Sequence, residues 1–124
     1  MSQIIFTNIP VMGKPRMTRA DRWKKRPVVL KYWRYKDKLK QLAKENDYTP
    51  GHTLDIEFLI PCPKSWSYKK VAEHAGEPHQ QKPDLDNLLK GFMDCLMDED
   101  KMVHTITATK KWMVGGEGTI VINR

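Results

Sequence analysis

The residues best suited to chemistry lie in one stretch, KPDLDNLLKGFMDCLMDED, from Lys82 to Asp100. From Asp84 onward six carboxylates stand there against a single lysine, Lys90. Asp86, Lys90 and Asp94 recur every four residues, so on a helix they share one face. Leu85, Leu88, Leu89, Phe92, Met93, Leu96 and Met97 follow the 3.6-residue period on the other face. This spacing predicts a helix over 84–97. Asp84 lies two residues before Asp86, and on a continuous helix the two would diverge by about 200°. They converge only if Asp84 sits in extended backbone just ahead of the first turn, which the preceding Pro83 favours.

Asp98, Glu99 and Asp100 form an acidic turn before the next strand. A strand packed beside the helix would bring Asp100 toward Asp84 and Asp86. Converging carboxylates repel one another unless a cation separates them. Oxygen-only ligation with water in the remaining positions is the pattern of Mg²⁺. Such an ion polarises a phosphodiester and acidifies an attacking water, and Lys90 would meet the developing charge on the phosphate. A plainer reading stays open: aspartates at a helix start also serve as caps and dipole partners. Asp94 is either an outlying helper of the site or a solvated helix carboxylate. Gly91 is unusual within a helix, where it costs roughly 1 kcal/mol against Ala. It predicts a close approach by another backbone or by substrate. The spacing of an EF-hand is absent.

The charge is distributed unevenly. From Lys14 to Lys44 there are 13 basic residues and two acidic ones, Asp21 and Asp37, in a chain of net charge +7. Residues 14–27 read as an irregular basic arm, with Lys14, Arg16, Arg19, Arg22, Lys24, Lys25 and Arg26 clustered around Trp23. Arg pairs with phosphate in a fork and Trp stacks on a base, so the arm suits a nucleic-acid backbone. A solvated charged loop is the bland alternative. Lys69 and Lys70, beside Trp66 and Tyr68, are a second candidate contact in a polar surface excursion or flap over 62–82.

These groups must be positioned by a single small core, since 124 residues leave no room for two. Apolar residues make up 40% and charged ones 30%, a balance that speaks against a disordered chain. Strands are expected over 4–9 and 54–60, the latter on the alternation of Leu54, Ile56, Phe58 and Ile60. Tyr32, Tyr35, Leu39 and Leu42 mark a helix over 29–46, with Lys36, Lys40 and Lys44 on another face. A short helix is expected around 67–75. Strands over 102–113 and 119–123 flank a glycine-rich turn and read as an antiparallel hairpin. Trp33 and Trp112 are assigned to the core. The expected fold is α+β: one domain over 1–124, a mixed sheet of about four strands, helices on one face, and a C-terminal antiparallel hairpin.

No apolar run approaches the roughly 18 residues of a membrane span. The N-terminus lacks the basic start and apolar stretch of a secretory signal. Cys62 and Cys95 are too few for a disulfide framework and fit reduced thiols in the cytoplasm. A zinc site from Cys62, His74, His79 and Cys95 lacks paired-cysteine spacing. No nucleophile triad or phosphate-binding glycine loop is present.

The segment KPDLDNLLKGFMDCL, with the acidic turn and the Thr-rich strand ending KKW, resembles the RusA family of Holliday junction resolvases. GKPRMTRADRWKKRP, KYWRYKD, and PCPKSWSYKK followed by HQQKPDLDN resemble its phage and prophage branch. The likeness covers the chain from about Ile9 onward. It implies a homodimeric, Mg²⁺-dependent endodeoxyribonuclease, with Mn²⁺ as a substitute ion and no small-molecule cofactor. Such an enzyme makes paired symmetric nicks in a four-way DNA junction during recombination and repair. The family's catalytic carboxylates fall on Asp84, Asp86 and Asp100, and its essential lysine on Lys90. The turn here is shorter than the family's usual one and carries Glu99 where a tandem Asp pair would begin, so Asp98 is a rival to Asp100. A non-catalytic DNA-binding module, or a nuclease for other branched DNA or RNA, is the alternative.

Overall fold

A computed structural model describes residues 2–16 and 26–124. In chain order the elements are β1 (Gln3–Thr7), α1 (Pro27–Glu45), β2 (Thr53–Pro61), α2 (Tyr68–His74), α3 (Leu85–Leu96), β3 (Thr105–Met113) and β4 (Thr119–Asn123). One four-stranded sheet has the order β1-β4-β2-β3. β4 runs antiparallel to both β1 and β2, while β2 and β3 run parallel. The expected α+β architecture with a mixed sheet is therefore present.

The core lies between one face of this sheet and the two long helices. Ile4 and Phe6 of β1, Leu54, Ile56 and Phe58 of β2, and Ile120 and Ile122 of β4 point into it. α1 contributes Tyr32, Tyr35, Leu39 and Ala43, the stripe its periodicity predicts, and α3 contributes Leu88, Phe92 and Cys95. Phe58 and Phe92 meet edge-on at 6.4 Å between ring centroids, which fixes α3 against β2. Pro27 starts α1 where its missing N–H is no loss. No helix among the described residues is long and apolar enough to cross a membrane.

The C-terminal hairpin is not formed. β3 and β4 lie on opposite sides of β2, and 114–118 carries the chain across the end of that strand. Crossing one strand requires roughly 10 Å, within reach of five residues. Gly118 permits the crossing: its φ is +143°, and a Cβ there would run into the Ile9 carbonyl. The reason for the order is burial. Thr119, Ile120, Val121 and Ile122 are all buried, so β4 belongs in the middle of the sheet. β3 buries only Trp112 and takes the edge.

Three further expectations are corrected. β3 starts at Thr105 rather than Met102, because Val103 N–H closes a turn onto the Asp100 carbonyl at 3.0 Å. Trp33 is 40% exposed and is not core. The 62–82 excursion is no free flap, since its second half is tied along the outer edge of β3. Gly76 N–H donates to Trp112 O, Trp112 N–H to Glu77 O, and His79 N–H to Lys110 O, at 2.9–3.0 Å. This covers an edge that would otherwise present unpaired backbone groups. Trp112 is buried beneath it, ringed by Trp66, His74 and His79.

Phe92 holds α3 in place, so Phe92→Ala is expected to lower folding stability by about 3–5 kcal/mol. Urea unfolding followed by tryptophan fluorescence checks this.

Candidate functional site

The site is organised by the start of α3. Asp84 is its N-cap residue, in extended backbone with φ −69° and ψ 145°, and its side chain makes no capping hydrogen bond. Asp86 lies in the first helical turn, where its Oδ1 accepts from Asn87 N–H at 2.8 Å. Asp84 is thus outside the helix and Asp86 inside it, the condition their two-residue spacing demands. Both are exposed. The partial positive charge of the helix N-terminus favours anionic groups at this position.

Asp98, Glu99 and Asp100 are exposed on the turn before β3. Glu99 and Lys101 approach at 3.6 Å in a mostly solvated pair. Among the described residues no three His, Cys, Asp or Glu side chains gather as a metal-holding group. Asp84, Asp86 and Asp100 are therefore not drawn together as a trio here, and neither are Cys62, His74, His79 and Cys95. The two carboxylates at α3 nonetheless fit Mg²⁺ in kind. They are hard oxygen donors open to solvent, and this ion commonly takes one or two carboxylates while keeping water and substrate phosphate in its shell.

Lys90 lies one turn beyond Asp86 and is exposed. With Lys14, Pro15, Arg16 and Asn87 it lines an open cleft of about 410 Å³. The near end of the basic arm thus lies on α3. Gly91 explains the contact: a Cβ there would stand 3.2 Å from Lys14 N and 3.4 Å from Met12 O. The close approach its sequence position predicts is by the arm's own backbone. Gly13 answers it, since a side chain at that position would displace Asn87.

Asp94 has a definite role that the sequence reading missed. Its Oδ2 accepts from Lys14 Nζ at 2.8 Å, with both side chains about a third exposed. The signal was the row Asp86, Lys90, Asp94 beside Gly91, but its partner lies 80 residues away. Arg26 Nη2 donates to Arg16 O at 2.8 Å, so the two ends of the 14–27 arm meet. Arg19, Arg22, Lys24 and Lys25 lie outside the described residues.

Lys69 and Lys70 are exposed on α2, whose start is capped by Ser67 Oγ accepting from Lys70 N–H. The Lys70 ammonium lies 4.4 Å from the Trp66 ring centre and is engaged there. Tyr68 is 98% exposed. His79 is buried with Nδ1 unpartnered, and its pKa is lowered by burial and then by the charge of Lys110. An unfolded chain therefore binds this proton more readily than the folded one. Stability should be full above the ordinary histidine range and fall as pH drops through it. Thermal unfolding between about pH 5 and 7 checks this, with a flatter profile expected for His79→Gln.

The Lys14–Asp94 pair is partly solvated, so it should contribute about 1 kcal/mol or less. In a double-mutant cycle, Lys14→Met and Asp94→Asn are expected to cause similar small losses that do not add.

In sequence comparison no individual curated protein matches the chain. The profile of the family described as Endodeoxyribonuclease RusA matches residues 8–123. That span takes in the arm, the α3 carboxylates, the acidic turn and all of β2, β3 and β4. The chain belongs to the RusA family of endodeoxyribonucleases, enzymes that resolve Holliday junctions.

Proposed function

We propose that the protein is a cytoplasmic, divalent-metal-dependent resolvase that nicks four-way DNA junctions in a symmetric pair during recombination and repair. The observation that carries this reading is the exposed pair Asp84 and Asp86 at the start of α3, with Lys90 and the basic arm one turn away.

Asp84 and Asp86 would hold Mg²⁺, or Mn²⁺ in its place, and Asp100 is the third carboxylate assigned to the set. Once bound, the ion supplies Lewis acidity to the phosphodiester and acidifies the attacking water. The chain's own groups perform the remaining work. Lys90 faces the phosphate from the same helix and offsets charge that builds on its oxygens. Arg16 forks onto a neighbouring phosphate, with Lys14 holding that part of the arm on α3 through Asp94. Arg19, Arg22, Lys24, Lys25, Arg26, Lys69 and Lys70 extend the backbone contacts. Phosphate contacts carry no base code, so this surface selects branched DNA by shape. Two equivalent cuts on a two-fold substrate call for two copies of the site, which a two-fold homodimer supplies.

The test is cleavage of an end-labelled synthetic four-way junction with and without Mg²⁺. Wild type is expected to give paired nicks, and Asp86→Asn to lose at least about 100-fold in rate while still binding the junction. Tight binding with no nicks in Mg²⁺ or Mn²⁺ contradicts the reading. Faster cutting of flaps, forks or RNA than of the junction would reassign the substrate.

A further inference from the structure

The adjacent lysines of β3, Lys110 and Lys111, have different partners. Lys111 pairs with Glu57 of the neighbouring strand at 2.9 Å, an ordinary cross-strand ion pair. Lys110 is half-buried and reaches the segment that leads into α3. Its Nζ donates to the carbonyl oxygens of Gln81 and Pro83, at 2.5 and 2.8 Å. Pro83 O is the last backbone acceptor before Asp84. The backbone carbonyl of Lys110 also accepts from His79 N–H at 3.0 Å. One residue therefore grips the 79–83 stretch at both ends, by its main chain and by its ammonium.

We propose that Lys110 is a positioning residue of the nuclease site, which fixes the chain ahead of α3 and so sets where Asp84 stands. The inference rests on the assignment of Asp84 to that site. Three observations support it. Asp84 lacks a capping bond of its own, so its side chain does not anchor it. Two charge-assisted bonds from one ammonium hold this loop, and such bonds are about twice as strong as neutral ones. The far side of the loop is held by His79, buried against Trp112 at 4.2 Å between ring centres. The loop is thus clamped to the sheet edge, and the sheet rather than α3 alone determines the approach of Asp84. A lysine serves here because its three donors on a flexible stem reach two carbonyls at once.

The test uses the full chain with Lys110→Met and Lys110→Arg. Three quantities are measured: single-turnover cleavage of a saturating junction in Mg²⁺, junction affinity without divalent ions, and amide hydrogen exchange over 79–86. Lys110→Met is expected to cut about 10- to 100-fold more slowly, the usual loss when an outer partner of a metal ligand is removed. Its junction affinity should stay within about twofold, its exchange over 79–86 should rise, and Lys110→Arg should recover most of the rate. Weakened binding with an unchanged cleavage rate would make Lys110 a phosphate contact and overturn the inference. Unchanged cleavage with unchanged exchange would overturn it too. If wild type cuts no branched DNA, the nuclease reading fails by itself, and the exchange measurement still decides whether Lys110 holds the loop.

Discussion

Two aspartates separated by one residue repel each other and, on a continuous helix, face apart. A site built on Asp84 and Asp86 therefore depends on breaking the helix between them. The break lies where α3 begins, with Asp84 extended and Asp86 in the first turn. Much of the remaining structure holds that junction in place. Phe92 locks α3 onto β2 from within the core. Lys110 ties the incoming chain to the edge of β3.

The same helix also receives the basic arm. Gly91 and Gly13 remove two side chains so that the Met12–Lys14 backbone can lie against α3, and the Lys14–Asp94 pair secures it. One face of α3 thus carries Asp86, Lys90 and Asp94, with Arg16 brought alongside. Negative groups toward the helix start and positive groups one turn later are separated along about 6 Å of helix axis. Under the proposed function, this row would set a cation site beside a phosphate site on one helix face.

The local parts of this arrangement were legible in the sequence. The alternation in β2, the apolar stripe of α3 and the extended Asp84 all follow from periods of two and 3.6 residues and from one proline. Long-range pairing was not legible in the same way. A hairpin was expected because 102–113 and 119–123 are adjacent, yet β4 inserts between β1 and β2. The clue was the unbroken apolar run Ile120-Val121-Ile122, which suits a strand buried on both faces and not an edge. Gly91 signalled a close approach but could not name the arm as its partner. Lys110 gave no signal, because its role depends on which loop covers β3. The acidic turn read as the third ligand position, yet no three such side chains gather among the described residues.

Where a divalent cation binds is the point on which the account turns. Paramagnetic broadening of backbone amide resonances by Mn²⁺, titrated into the protein, measures it directly. Amides from Asp84 to Lys90 are expected to broaden first, and Asp84→Asn to weaken the effect. Broadening that begins elsewhere on the molecule and leaves the start of α3 untouched would contradict it.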